Sequence, residues 1–263
     1  MESTPKNLSN KVAIVTGASR GIGRAIATKL AQSGAHLVVA ARNGSALDTL
    51  VAEIELIGST AIRCALDLRN PRDPAELVAQ TLDTFGTVDI VVNNAGAAKR
   101  GDFLELTDED WMDGFALKFF GYVRLLRAAW PHLISTKGSI VNIVGIGGRT
   151  PGAEFTIGGS VKAGLLSLTK ALADRGVKEG IQINAINPGL IRTDRLKAWI
   201  EKFAAEKKIS IEIAEQRIVE SNEATRIGEP EDIANLVAFV VSPEARFLQG
   251  ALIDMDGGAT KTI

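Results

Sequence analysis

Two rhythms of apolar residues alternate along the chain. Short, nearly continuous apolar runs fall at residues 12–15, 36–40, 61–66, 89–92, 139–144, 182–186 and 251–254. Runs of this kind predict strands buried on both faces, as in a parallel sheet. Between them the apolar residues recur at helical spacing, over 24–31, 45–57, 74–85, 107–134, 158–175 and 229–241. In the second of these Leu47, Leu50, Val51 and Ile54 share one face, and Gly58 ends it. Pro74 stands near the first turn of the third, and Glu109 and Asp110 in the first turns of the long fourth. The alternation predicts an α/β protein, one doubly wound domain over residues 1–263 with a mostly parallel sheet and helices on both faces. Residues 192–227 break the rhythm. They read as charged and helical, and they follow a strand's carboxyl end, where ligands bind in such sheets. This segment is expected to be the lid of a substrate pocket. Leu196, Trp199 and Phe203 form an apolar stripe on it, which suits a small-molecule substrate with apolar bulk.

Composition narrows the class. The formal net charge of −1 over 263 residues gives no electrostatic case for nucleic acid or an anionic membrane. No apolar run approaches a bilayer span, and the first eleven residues are polar and lack a signal-peptide core. The single cysteine, Cys64, reads as a buried structural thiol with no histidine at metal-ligand spacing, so no metal site is expected. A cytoplasmic location is expected.

One stretch organises the rest. Residues 11–25 read KVAIVTGASRGIGRA: a strand, then Gly17, Gly21 and Gly23, then a helix. Without a Cβ, Gly17 and Gly21 let a backbone approach a pyrophosphate, Gly23 lets helix pack on strand, and the helix N-terminus offers N–H groups to an anion. Residues 16–23, TGASRGIG, resemble the TGxxxGIG of the short-chain dehydrogenase/reductase family. Asn93-Asn94-Ala95-Gly96 resembles its NNAG motif, and residues 184–193 resemble its N-x-x-x-PG-x-x-x-T segment. Residues 226–234 and Asp256-Gly257-Gly258 match its C-terminal part. The motifs stand in the expected order over nearly the whole chain.

The resemblance implies a Rossmann-type fold, a nicotinamide dinucleotide cofactor and homodimers or homotetramers. It places the cofactor against Gly17, Ser19, Arg20, Gly21, Ile22 and Gly23 in the glycine loop. Asp67 and Leu68 would hold the adenine, and Asn93, Ala95 and Gly96 the adenosine ribose side. Pro188, Gly189, Ile191 and Thr193 would grip the nicotinamide amide and the phosphates. An acid after strand two would select NAD by accepting hydrogen bonds from the ribose 2′-OH. This chain has Ala40-Ala41-Arg42 there, and Arg42 and Arg20 instead suit a 2′-phosphate, so NADP is expected over NAD.

The catalytic positions depart from the family pattern. The family places a tyrosine four residues before a lysine on the helix after strand five, a serine thirteen residues before that tyrosine, and an asparagine on the preceding helix. Lys162 fits the lysine, but Gly158, Gly145 and Lys118 stand at the other three positions. Neither glycine can transfer a proton. Lys118 and Lys162 are expected to point into one cleft, where like charge and desolvation depress an amine's pKa and suit it to general acid–base work. The only tyrosine, Tyr122, reads as core. Three functions stay open: an oxidoreductase on a carbonyl or alcohol with a non-standard proton donor, a catalytically silent dinucleotide-binding sensor or subunit, and a non-redox lyase or isomerase.

Overall fold

A computed structural model describes residues 7–261. Its centre is one seven-stranded sheet of β1 (Val12–Thr16), β2 (His36–Ala41), β3 (Ala61–Ala65), β4 (Ile90–Asn93), β5 (Ser139–Ile143), β6 (Gln182–Pro188) and β7 (Leu252–Met255). Every adjacent pair is parallel, in the order β3-β2-β1-β4-β5-β6-β7. All seven expected strands are present, and the sheet is wholly parallel.

The continuous apolar runs follow from two covered faces. Ala13, Val15, Leu37 and Val39 pack on one side against α1 (Gly21–Gln32), α2 (Gly44–Leu56) and α9 (Pro230–Val240). Val12, Ile14, Val38 and Ala40 pack on the other against α3 (Asp73–Phe85) and α5 (Gly121–Thr136). Period-two alternation thus splits one strand between two cores. A third cluster joins Tyr122 of α5 to Ile157, Val161 and Leu165 of α6 (Thr156–Glu179).

The long helix expected over 107–134 is present with an internal irregularity. Thr107 caps α4 (Asp108–Gly114) through a reciprocal pair with Asp110. A π-helical turn over Phe115–Phe120 follows, and α5 continues the rod. Such turns insert a residue and re-aim side chains; Lys118 lies within this one.

The expected lid consists of α7 (Asp194–Lys207) and α8 (Ile211–Ser221). It has its own small core of Leu196, Ile200, Ala204, Ala214, Ile218 and Ile227, with Phe203 packed against it. Trp199 is not part of that core and is 45% exposed, because Ile200 takes the inward position next to it.

Candidate active site

The sheet order reverses between β1 and β4, and in a doubly wound sheet the binding crevice opens there, at the strands' carboxyl ends. The glycine loop lies on one side of it. Gly17 and Gly21 have φ of +67° and +54°, which side chains disfavour. A Cβ at Gly17 would come 2.9 Å from the Ala95 backbone, and one at Gly23 would collide with the Gly17 carbonyl oxygen. The Asn94 side chain clamps the crevice shut at its base, donating to the carbonyls of Thr16 at 3.0 Å and Gly17 at 3.2 Å. The backbone N–H groups of Asn94 and Ala95 both donate to the Thr16 hydroxyl. Asn94 was absent from the expected contacts, though it sits inside the motif that gave its neighbours.

Two helix N-termini converge here. Thr193 lies at the start of α7, and its methyl group would be 3.2 Å from a Cβ at Gly21. Neither α1 nor α7 has a side-chain cap, whereas α2, α4 and α8 are each capped by a side chain. Uncapped N–H groups facing a crevice form an anion site. Arg20 is exposed and reaches Asp194 at 3.8 Å. Arg42, also exposed, lies 4.0 Å from Asp67.

Other expected contact residues divide between crevice and core. Ser19, Ile22, Asp67, Ala95 and Gly96 are partly exposed. Leu68 is buried and its Cβ would be 3.1 Å from a Cβ at Gly121. The Asn93 side chain is wholly buried and donates to Asn142, which donates to Thr169. It therefore ties β4 to β5 and α6 rather than facing the crevice. Gly189 hydrogen-bonds Met255 and lies against Asp256, and Ile191 pairs with Gly228, so Pro188, Gly189 and Ile191 form the wall after β6.

The two lysines meet at the carboxyl end of β5. Lys118 leaves the π-helical turn and donates to the carbonyl oxygen of Val144 at 3.1 Å. It passes so close to Gly96 that a Cβ there would lie 2.7 Å from its Cδ. Lys162 Nζ lies 2.6 Å from where a Cβ at Gly145 would stand, so the amine occupies the space a side chain would need. Gly145 has φ of +102°, which favours glycine in its own right. The Phe155 ring fills the space of a side chain at Gly158, and Lys162 lies 4.9 Å from its centroid.

Burial and neighbouring cations act together on both amines. Lys118 is driven well below the ordinary lysine range by desolvation, then by Lys162 and Arg195. Lys162 is held at about 8 by desolvation, Arg195 and Arg100. Neither amine has a carboxylate partner among the described residues. Tyr122 is fully buried, donates to the Ile143 carbonyl at 3.3 Å and has its pKa raised by desolvation, as a core residue would. Arg149, after β5, pairs with Asp254 of β7 at 3.2 Å and is occupied there. Among the described residues no cluster of histidine, cysteine or carboxylate suits a metal, and no helix is long and apolar enough to cross a membrane.

Fold and crevice together define a nucleotide-binding protein of the doubly wound α/β class. The family described as enoyl-(acyl carrier protein) reductase matches residues 17–260. A 3-oxoacyl-[acyl-carrier-protein] reductase of Vibrio cholerae is 33% identical over 253 residues, covering 96% of this chain and 98% of the relative. L-sorbose reductase of Gluconobacter frateurii, solved with NADPH and L-sorbose, superposes with a TM-score of 0.93 at 31% identity, over 100% of both chains. A 7α-hydroxysteroid dehydrogenase solved with NADH and a bile-acid ligand superposes with a TM-score of 0.89 at 31% identity, over 100% of this chain and 99% of that one. The chain belongs to the short-chain dehydrogenase/reductase family.

Proposed function

We propose that this chain is an NADP-dependent oxidoreductase that interconverts a carbonyl and an alcohol, with a lysine amine as proton carrier in place of the family's phenol. The observation that carries the reading is the pair of depressed amines, Lys118 and Lys162, at the mouth of an intact dinucleotide crevice. In this reading the chain is a divergent member, with Gly158, Gly145 and Lys118 where its relatives place tyrosine, serine and asparagine.

The crevice fits a dinucleotide, since a Cβ would fill its cradle at Gly17 and Gly23 and two uncapped helix ends face an anion site. The loop from Gly17 to Gly23, with Ser19, Gly21, Ile22 and Thr193, would hold the pyrophosphate. Asp67 and Leu68 would hold the adenine, and Asn93, Ala95 and Gly96 the ribose beside it. Pro188, Gly189 and Ile191 would flank the nicotinamide, and Lys162 its ribose. Similar structures hold NADPH or NADP in three cases and NADH in one, and Arg42 favours the same choice. Arg42 is exposed, follows β2 with no acid next to it in the sequence, lies 4.0 Å from Asp67 and, with Arg20, can meet a 2′-phosphate.

When bound, reduced NADP supplies a hydride to a carbonyl carbon. The ammonium of Lys118 gives its proton to the carbonyl oxygen and is left a neutral amine, and in oxidation that amine takes the proton from the hydroxyl. Desolvation and the charge of Lys162 hold the pKa of Lys118 well below the ordinary lysine range, which eases that exchange. Helices α7 and α8 act as the lid, with Arg195 reaching from the lid to the Gly96 carbonyl at 3.3 Å.

Fluorescence titration tests the cofactor assignment. NADPH should bind at least about tenfold more tightly than NADH, the scale of one charge-assisted phosphate contact, and Arg42→Asp should reverse the order. Equal affinity of the wild type for both cofactors would sink the assignment.

A further inference from the structure

Four cations surround the place where a substrate carbonyl would meet the amines. Lys118 donates to the Val144 carbonyl and Arg195 to the Gly96 carbonyl. Lys162 and Arg100 each lie 4.9 Å from the centroid of the Phe155 ring. Some other arginines are paired, while Arg124, on the same helical rod as Lys118, donates only to a backbone carbonyl. Arg192 pairs with Glu215 and Glu229, Arg226 with Asp232, and Arg69 with Asp113. None of the four cleft cations is ion-paired among the described residues. Their only electrostatic neighbours with any effect on the two lysines are one another.

The crevice phosphates do not account for Arg100, although Arg195, in the first turn of α7 and bonded to the Gly96 carbonyl, borders them. Those would sit on the glycine loop, at Arg20 and at Arg42, on the β1–β2 side of the switch point. Arg100 and Phe155 lie on the loops after β4 and β5, on the opposite side. Arg100 and Arg195 are exposed and free of carboxylates, while the two lysines beside them are buried; positive charge is costly at the buried amines, and a ligand anion reduces that cost.

We propose that the substrate of this site carries an anionic group, a carboxylate or a phosphate, a few bonds from its carbonyl, gripped between Arg100 on the loop after β4 and Arg195 on the lid. The Phe155 ring supplies the apolar wall beside it. This rests on the oxidoreductase reading above and gives it a substrate class: small oxo acids and their hydroxy acids, or the phosphate-bearing counterparts. The anion also favours the charged form of Lys118, so a bound substrate loads the amine that donates the proton. It draws Arg195 inward, which couples substrate recognition to the lid.

The experiment has a binding arm and a turnover arm. In the first, NADP-loaded wild-type protein is titrated calorimetrically with malonate, with inorganic phosphate and with malonamide, which is neutral and of nearly malonate's shape. Malonate or phosphate should bind, malonamide should bind at least about tenfold more weakly, and Arg100→Gln should weaken the anion about tenfold with NADPH affinity unchanged. In the second, oxo acids, their methyl esters and phosphate-bearing ketones are compared by loss of NADPH absorbance. Whichever anion is preferred identifies the carboxylate or the phosphate as the natural group. Methyl esters reduced as well as the acids, or malonamide binding as well as malonate, overturns the proposal and leaves the oxidoreductase reading intact. Failure of NADPH to bind at all overturns that reading first, and is recorded before either arm begins.

Discussion

At Gly158 and Gly145 the space a side chain would take is filled by neighbours. Phe155 reaches back into the volume at Gly158, and Lys162 Nζ takes the volume at Gly145. The sequence shows the two glycines but not their occupants, because a ring three residues away can turn towards the cleft or out to solvent. Lys118 was legible as a position on a helix and Lys162 as half of a motif. That both amines share one cleft with Arg195 and Arg100 depends on the lid and on the loop after β4, which no local spacing encodes. The depressed pKa of Lys162 carries a stability consequence. Between about 8 and 10.5 the unfolded chain binds the proton and the folded one does not, so folding gains from rising pH across that window. Below about 8 both states are charged, and the full burial penalty stands. Lys162→Met removes the penalty. It should therefore be more stable than wild type at neutral pH by about 2–3 kcal/mol, with the gap closing as pH approaches the ordinary lysine value. Paired denaturant titrations across that range check this, and a gap that does not change with pH contradicts it.

The elements themselves were largely written in the apolar pattern. β1 reads as a continuous run because its alternate residues serve two different cores, Val12 and Ile14 one, Ala13 and Val15 the other. Thr107 and Asp110 announce the start of α4. The π-helical turn at Phe115–Phe120 was not legible, since its residues fit an ordinary helix equally well and only packing shows the inserted residue. In the α7–α8 segment, two of the three residues of the stripe Leu196, Trp199 and Phe203 join its small core, while Ile200 takes the inward place beside the exposed Trp199. The tightest junction between elements is where α1 meets β1. A Cβ at Gly23 meets the Gly17 carbonyl and the Asn94 amide, both held by other bonds. Gly23→Ala should destabilise the protein by about 1–3 kcal/mol, the usual cost of overpacking, and weaken NADPH at least about tenfold by shifting the loop. Thermal denaturation and a cofactor titration read both effects. Unchanged affinity in a folded variant would mean that the loop does not hold the pyrophosphate.

Across the whole molecule, the sheet order places the glycine loop, the two uncapped helix ends and the lysine pair along one edge. That edge supports the cofactor reading, and the cation cluster at its far end is the basis for the proposed substrate class. The family and its cofactor motifs were readable without coordinates. The proton carrier was readable only as the expectation that Lys118 and Lys162 share a cleft; their burial and neighbouring cations come from the fold. The claim that an amine replaces the phenol is therefore the one to test most directly. The measurement is the pH dependence of kcat for NADPH-driven carbonyl reduction, in wild type and in Lys118→Met. Reduction needs the protonated amine, so the wild-type rate should fall as pH rises through a value below the ordinary lysine range. Lys118→Met should lose that inflection and at least about 10²-fold in kcat, the scale of a positioned acid–base group, with NADPH affinity nearly unchanged. Full turnover by Lys118→Met with the wild-type inflection intact would contradict the account.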